Sequence, residues 1–210
     1  MKLGIYGGTF GPVHLGHIRA AHAFLDACKL DRLYILPTAI PPHKAVSQAD
    51  TPKDRLQMLK LAFSEPQYAD ERIVISDYEQ TRGGKSYTIL TLEHFINESE
   101  DLTMLCGTDM FLTLERWYRG EDILRMADIC CLCRDDDPVS EEKIRAAADR
   151  YRTVYGTRVI LPTFHPLVIS STEIRSRIAA GQATDDVLPT TVHKYIDEHG
   201  LYRISEEPQK

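Results

Sequence analysis

Leu3-Gly4-Ile5-Tyr6-Gly7-Gly8-Thr9-Phe10-Gly11-Pro12-Val13-His14-Leu15-Gly16-His17 runs from a short apolar stretch through a glycine-rich loop into a segment where Ile18, Ala21, Leu25 and Cys28 recur at helical spacing. That order predicts a buried strand, a tight loop and an amphipathic helix. The unit repeats along the chain. Further apolar runs stand at Leu33–Leu36, Ile73–Ile75, Leu102–Cys106, Ile129–Leu132 and Val159–Leu161. Continuous rather than alternating apolarity suits strands covered on both faces. Helices are predicted from Thr51-Pro52, as cap and first residue, and at Ser86–Asn97, Ser140–Arg150, Ser171–Ala180 with Gly181 as stop, and Thr191–His199 with Gly200 as stop.

Strands alternating with helices imply right-handed crossovers and an α/β fold with a doubly wound, mostly parallel sheet. The 210 residues are read as a single domain, 1–210, with a small helical portion from about 171. Ligands of such sheets lie beyond the carboxyl ends of the strands. Function is therefore sought in Gly7–Val13, Pro37–Lys44, Asp77–Tyr87, Gly107–Asp109, Arg134–Pro138 and Pro162–Ser171.

Composition narrows the classes. The chain is 43% hydrophobic and 27% charged, which is ordinary for a globular protein. A formal net charge of -6 argues against a nucleic-acid partner or an anionic-membrane surface, so any phosphate site has to be local. No run approaches a membrane span, and Met1–Tyr6 breaks into glycines too early for a signal peptide, so a cytoplasmic location is expected. Cys28, Cys106, Cys130, Cys131 and Cys133 lie in apolar segments and read as reduced core thiols. In a strand, Cys130 and Cys131 face opposite sides, and no second Cys/His pair follows at zinc spacing. Asp135-Asp136-Asp137 reads as a solvated loop, and no protein-built metal site is expected.

The glycine loop carries the strongest chemical signal. Glycines let backbone N–H groups approach a phosphate, and a helix start adds positive potential. His14 and His17, three apart, are expected on the first turn with both imidazoles on one face and Gly16 leaving room between them. The loop has neither the phosphate-loop ending Gly-Lys-Ser/Thr nor Gly-x-Gly-x-x-Gly. Zinc binding or plain packing are the competing readings of the His pair. A second signal is Ile169-Ser170-Ser171-Thr172-Glu173-Ile174-Arg175, where Ser170 or Ser171 caps a helix and Arg175 sits one turn in. Alone it is a capped helix with an exposed arginine.

The two strings together resemble the T/HxGH and ISSTxIR signatures of the nucleotidyltransferase superfamily. Nearly end to end, the chain is similar to the bacterial nicotinate-nucleotide adenylyltransferase family. The matches are Pro41-Pro42-His43-Lys44, Arg55 with Met58-Leu59, Ser86-Tyr87-Thr88, Gly107-Thr108-Asp109, Trp117, Arg134 after a strand, and Tyr195-Ile196 with His199-Gly200-Leu201-Tyr202.

The resemblance implies a Rossmann-like fold and assigns roles. His14, His17, Lys44 and Arg175 would be catalytic. Gly7, Gly8, Thr9, Phe10, Gly107, Asp109, Ile169, Ser170, Ser171 and Thr172 would hold ATP. Thr9, Lys44, Tyr87, Thr88, Trp117 and Arg134 would hold the mononucleotide. Two positions depart from the pattern: Gly11 stands where Asp is usual, and Asp135-Asp136 follows Arg134 where Pro-Gly is common.

The implied reaction joins the adenylyl group of ATP, carried with Mg2+, to nicotinate mononucleotide. The phosphate attacks in line, pyrophosphate leaves, and no covalent enzyme intermediate forms. Competing readings are another superfamily enzyme, for example one acting on phosphopantetheine, and a non-catalytic nucleotide-binding regulator. Whether the chain forms a homo-oligomer is left open by the sequence.

Overall fold

The computed structural model describes residues 1–41, 49–99, 101–132, 138–165, 167 and 169–203, with side chains undescribed at 138–140. Six strands form one sheet: β1 (Lys2–Gly8), β2 (Arg32–Pro37), β3 (Ile73–Ile75), β4 (Asp101–Gly107), β5 (Asp128–Leu132) and β6 (Val159–Ile160). All five pairings are parallel, and the spatial order is β3-β2-β1-β4-β5-β6. This is the doubly wound, Rossmann-like order. Each strand lies where its apolar run predicts. β6 stops one residue early, because Leu161 turns outward at 37% exposure.

Register places Gly7 opposite Leu36 and Gly8 opposite Pro37, while Leu3 faces Leu102 on the other side. The sheet order reverses about β1, so the crevice opens at the carboxyl ends of β1 and its neighbour β4. Both faces are covered. On one, α1 (Leu15–Cys28), α2 (Pro52–Ser64), α8 (Ser171–Ala179) and α9 (Thr190–His199) bring Phe24, Leu25, Leu59, Ile174 and Ile196 onto Leu33, Ile35, Cys130 and Leu132. On the other, α4 (Thr88–Phe95), α6 (Gly120–Met126) and α7 (Pro138–Tyr155) bring Ile89, Leu92, Ile123, Leu124 and Tyr151 onto Leu3, Ile5, Leu102 and Ile129. Fully burying one Leu or Phe is worth about 1.5–3 kcal/mol, so either layer alone is a large stabilising term. Cys130 and Cys131 pack on opposite faces, as strand periodicity requires. Cys133 lies outside the described residues.

The expected caps are present. Thr51 caps α2 with Pro52 as its first residue, and Gly200 ends α9 in the left-handed region at φ 62°. Gly181, at φ 66°, follows the end of α8. Four short segments depart from expectation. The stretch read as the loop Asp77–Tyr87 contains α3 (Tyr78–Arg82), and between β4 and β5 lie α5 (Thr108–Phe111), a 3-10 turn at Leu114–Arg116 and α6. None carries a side-chain cap, and α3 and α5 are too short to show an apolar period. Two boundaries also move: α7 is longer than Ser140–Arg150, and α4 is shorter than Ser86–Asn97.

Candidate active site

The glycine loop leaves β1 at Gly8 and enters α1 at Leu15. His14 is the N-cap of that helix rather than a member of its first turn, which corrects the sequence expectation. The cause is local. The His14 backbone is extended, at φ -145° and ψ 171°, and its Nδ1 accepts the Gly16 N–H at 3.1 Å. His17 Nδ1 in turn accepts the His14 N–H at 3.3 Å, so two histidines form a reciprocal capping box. The ring centroids are 3.8 Å apart. With both Nδ1 atoms accepting, each neutral ring carries its proton on Nε2, and two N–H donors share one helix entry. A Cβ at Gly16 would lie 3.0 Å from the His14 ring, a tight contact that the ring would have to yield to, and 3.5 Å from Ile169. Phe10, expected at the nucleotide, is 2% exposed, and its ring abuts His17 edge-on with centroids 5.0 Å apart. The Phe10 side chain thus backs the His17 ring.

The second motif closes onto the first. Ser170 is the cap of α8 and accepts the Glu173 N–H at 3.1 Å, which settles the choice between Ser170 and Ser171. Ser171 Oγ donates to the Pro12 carbonyl at 3.0 Å. Arg175 Nη1 donates to the Gly11 carbonyl at 2.6 Å, and Nη2 to Thr172 Oγ1 at 3.0 Å. Two helix starts, from opposite ends of the chain, therefore converge on one loop. Both ends carry positive potential, and both favour an anion.

Beside the loop lies a cavity of about 220 Å3, whose wall includes Gly7, Gly8, Thr9, Tyr87, Thr88 and Trp117. Tyr87 is the N-cap residue of α4 and makes no side-chain cap bond. Trp117 Nε1 donates to Thr113 Oγ1 at 3.4 Å, and the Tyr87 and Tyr118 rings lie 4.5 Å apart. Gly107 and Asp109 stand at the carboxyl end of β4, with Gly107 capping α5 and Asp109 exposed in its first turn. Lys44 and Arg134 lie outside the described residues.

Sequence reasoning missed several wall residues, among them Glu79, Ser86, Met110 and Tyr118. Glu79 is 5% exposed, on the five-residue α3. Burial pushes its carboxyl above the usual range, opposed by Ser86 and by Thr91, whose Oγ1 donates to Oε1 at 3.0 Å. Nothing in the linear sequence marks this group, because its burial depends on how α3 meets α4. Tyr118 had one signal, its place next to the single Trp. Among the described residues, no group of three or more His, Cys, Asp or Glu side chains could hold a metal ion, and no helix is long and apolar enough to cross a membrane.

Residues 5–177 match the cytidylyltransferase-like family. A protein of Neisseria meningitidis serogroup B named probable nicotinate-nucleotide adenylyltransferase is 35% identical over 205 residues, covering 96% of this chain and 98% of that one. One of the same name from Thermoanaerobacter sp. is 33% identical over 210 residues, covering 99% and 97%. Among solved structures, the nicotinic acid mononucleotide adenylyltransferase of Plasmodium falciparum complexed with NaAD superposes with a TM-score of 0.74 over 96% of this chain and 97% of that one. At 16% identity, that likeness speaks to the fold.

Proposed function

This chain belongs to the cytidylyltransferase-like family, with full-length relatives named as nicotinate-nucleotide adenylyltransferases, and we propose that it transfers the adenylyl group of ATP to nicotinate mononucleotide. Pyrophosphate and deamido-NAD are the products. The observation that carries the reading is the closure of Ser171 and Arg175 onto Pro12 and Gly11 beside an aromatic-walled cavity. One edge of that arrangement suits a polyphosphate, and the other suits a flat ring.

The mononucleotide phosphate is its own nucleophile, since its second pKa is about 6. No general base is needed. The protein's task is to align two polyanions and to stabilise charge as it moves onto the leaving pyrophosphate. The Nε2 donors of His14 and His17 face that charge, and Arg175 fixes the loop that presents them. Lys44 adds a cation after β2 and Arg134 another after β5. Thr9 lies between the two substrates, where Gly7, Gly8 and the Phe10 backbone admit phosphate. Gly107 and Asp109 hold the adenosine ribose, with Ile169, Ser170 and Thr172 on the triphosphate side. Tyr87, Thr88 and Trp117 take the pyridine ring. Magnesium arrives on the triphosphate as part of the substrate, neutralising phosphate charge. The chain acts as one domain in the cytoplasm, with its helices from about 171 closing the nucleotide site.

The experiment is to add ATP and nicotinate mononucleotide to the purified protein and measure pyrophosphate and dinucleotide. Stoichiometric formation of both is expected. Pyrophosphate release with phosphopantetheine but not with the mononucleotide would move the assignment to a sister activity. ATP binding without turnover on either acceptor would make the chain a regulator.

A further inference from the structure

Gly11 is buried, and the space in front of it is filled by a carboxylate from elsewhere. A Cβ at Gly11 would stand 2.6 Å from Asp50 Oδ2 and 3.3 Å from Arg55 Cδ. Asp50 and Arg55 are 7% and 2% exposed. Arg55 Nη1 donates to Asp50 Oδ1 at 2.5 Å, while Nη2 reaches the carbonyls of Thr38 at 2.7 Å and Ala39 at 3.3 Å. The Tyr202 hydroxyl donates to Asp50 Oδ2 at 2.7 Å. Burial pushes that phenol far above its ordinary range, with the Asp50 charge adding to the effect, so it remains a donor. One buried carboxylate thus joins the start of α2, through Arg55, to the segment after α9, and lies against the glycine loop whose carbonyl Arg175 grips. Buried ion pairs are costly to desolvate, and fixing one geometry is their best-attested use.

We propose that Asp50 is a positioning residue of the nucleotide site: its carboxylate fills the space in front of Gly11, and thereby holds Gly11 where Arg175 and ATP meet it. A side chain at position 11 and the Asp50 carboxylate compete for one volume. Arg55 Nε has no hydrogen-bond partner among the described residues, and its Cδ neighbours the Gly11 position. A carboxylate grown from position 11 would therefore find a donor once Asp50 is removed. The inference rests on the adenylyl-transfer reading only where it concerns ATP.

The test is a double-mutant cycle of wild type, Gly11→Asp, Asp50→Ser and the pair. Each single change should raise the KM for ATP about tenfold or more and lower the thermal midpoint, the first by crowding two carboxylates and the second by leaving Arg55 unpaired. The pair should restore most of both losses, and a folded pair from unfolded singles counts as the same rescue. Losses in the pair that equal or exceed the sum of the singles overturn the proposal. Should none of the three fold, Tyr202→Phe decides. A rise in the KM for ATP with kcat nearly kept supports positioning, and unchanged values overturn it. If wild type makes no dinucleotide, equilibrium ATP binding replaces KM in every arm, so failure of the activity is not mistaken for failure of the coupling.

Discussion

His17 Nδ1 accepts the backbone N–H of His14 at 3.3 Å, so the residue that caps α1 is itself oriented by the next histidine along the helix. Under the proposed function the side chains that cap α1 also meet the charge moving onto pyrophosphate, and substitution can separate the two roles. His14→Asn keeps a side-chain acceptor for the Gly16 N–H but loses the Nε2 donor. Turnover is expected to fall about a hundred- to a thousandfold, a loss of about 2.7–4 kcal/mol, with the thermal midpoint nearly unchanged. His14→Ala should match that loss and cost about 1 kcal/mol of stability besides. Turnover of the Asn variant within a few-fold of wild type would reduce His14 to a cap.

Arg175 spans the Gly11 carbonyl and Thr172 Oγ1 with two different nitrogens. A lysine ammonium has the charge without the planar fork. Arg175→Lys is therefore expected to be nearly as damaging as Arg175→Ala, most visibly in the ATP dependence of initial rates. Wild-type behaviour of the Lys variant would show that bulk charge alone is used at this position.

The α4 helix starts at Thr88 on the cavity wall, and Tyr87 leaves it without a side-chain cap. Helix-start N–H groups and the helix dipole favour a carboxylate over an amide. An amide NH2 facing those donors leaves buried groups unpaired at about 1–3 kcal/mol each, so preference for nicotinate over nicotinamide mononucleotide of about tenfold or more is expected. The quantity to compare is kcat/KM for the two at saturating ATP. Equal values would remove α4 from substrate recognition.

Asp70 precedes β3 and accepts three hydrogen bonds from Arg72, from Nε at 3.0 Å, Nη2 at 2.7 Å and the backbone N–H at 2.9 Å. The Arg72 side chain holds this carboxyl at about 2, below its ordinary 3.8. A depressed carboxyl stabilises the fold in its ionised form. Its contribution is whole above about pH 4 and is lost as pH falls toward about 2. Because Arg72 is partly solvated, Asp70→Asn should cost about 1 kcal/mol at pH 7, and about half of that at pH 3. Urea midpoints at the two pH values give the comparison, and equal losses at both would rule out the linkage.

What the sequence determined by itself is what local chemistry determines. Six apolar runs, the Thr51-Pro52 start of α2 and the glycines after α8 and α9 act over a few residues, and each is where its pattern places it. The two signature strings were legible for the same reason, as a loop before one helix and a cap before another. The short helices α3, α5 and α6 carry little local signal, and their neighbours decide them. Glu79 belongs to the cavity because α3 packs against α4, and no spacing in the chain records that. The site's closure is also non-local: Ser171 meets Pro12 across 159 positions, Arg175 meets Gly11 across 164, and Tyr202 meets Asp50 across 152. Local periodicity selects strands and helices from a small menu. Which side chain then fills the space in front of a glycine depends on the path of the whole chain, and at Gly11 only the tertiary structure shows that it is Asp50.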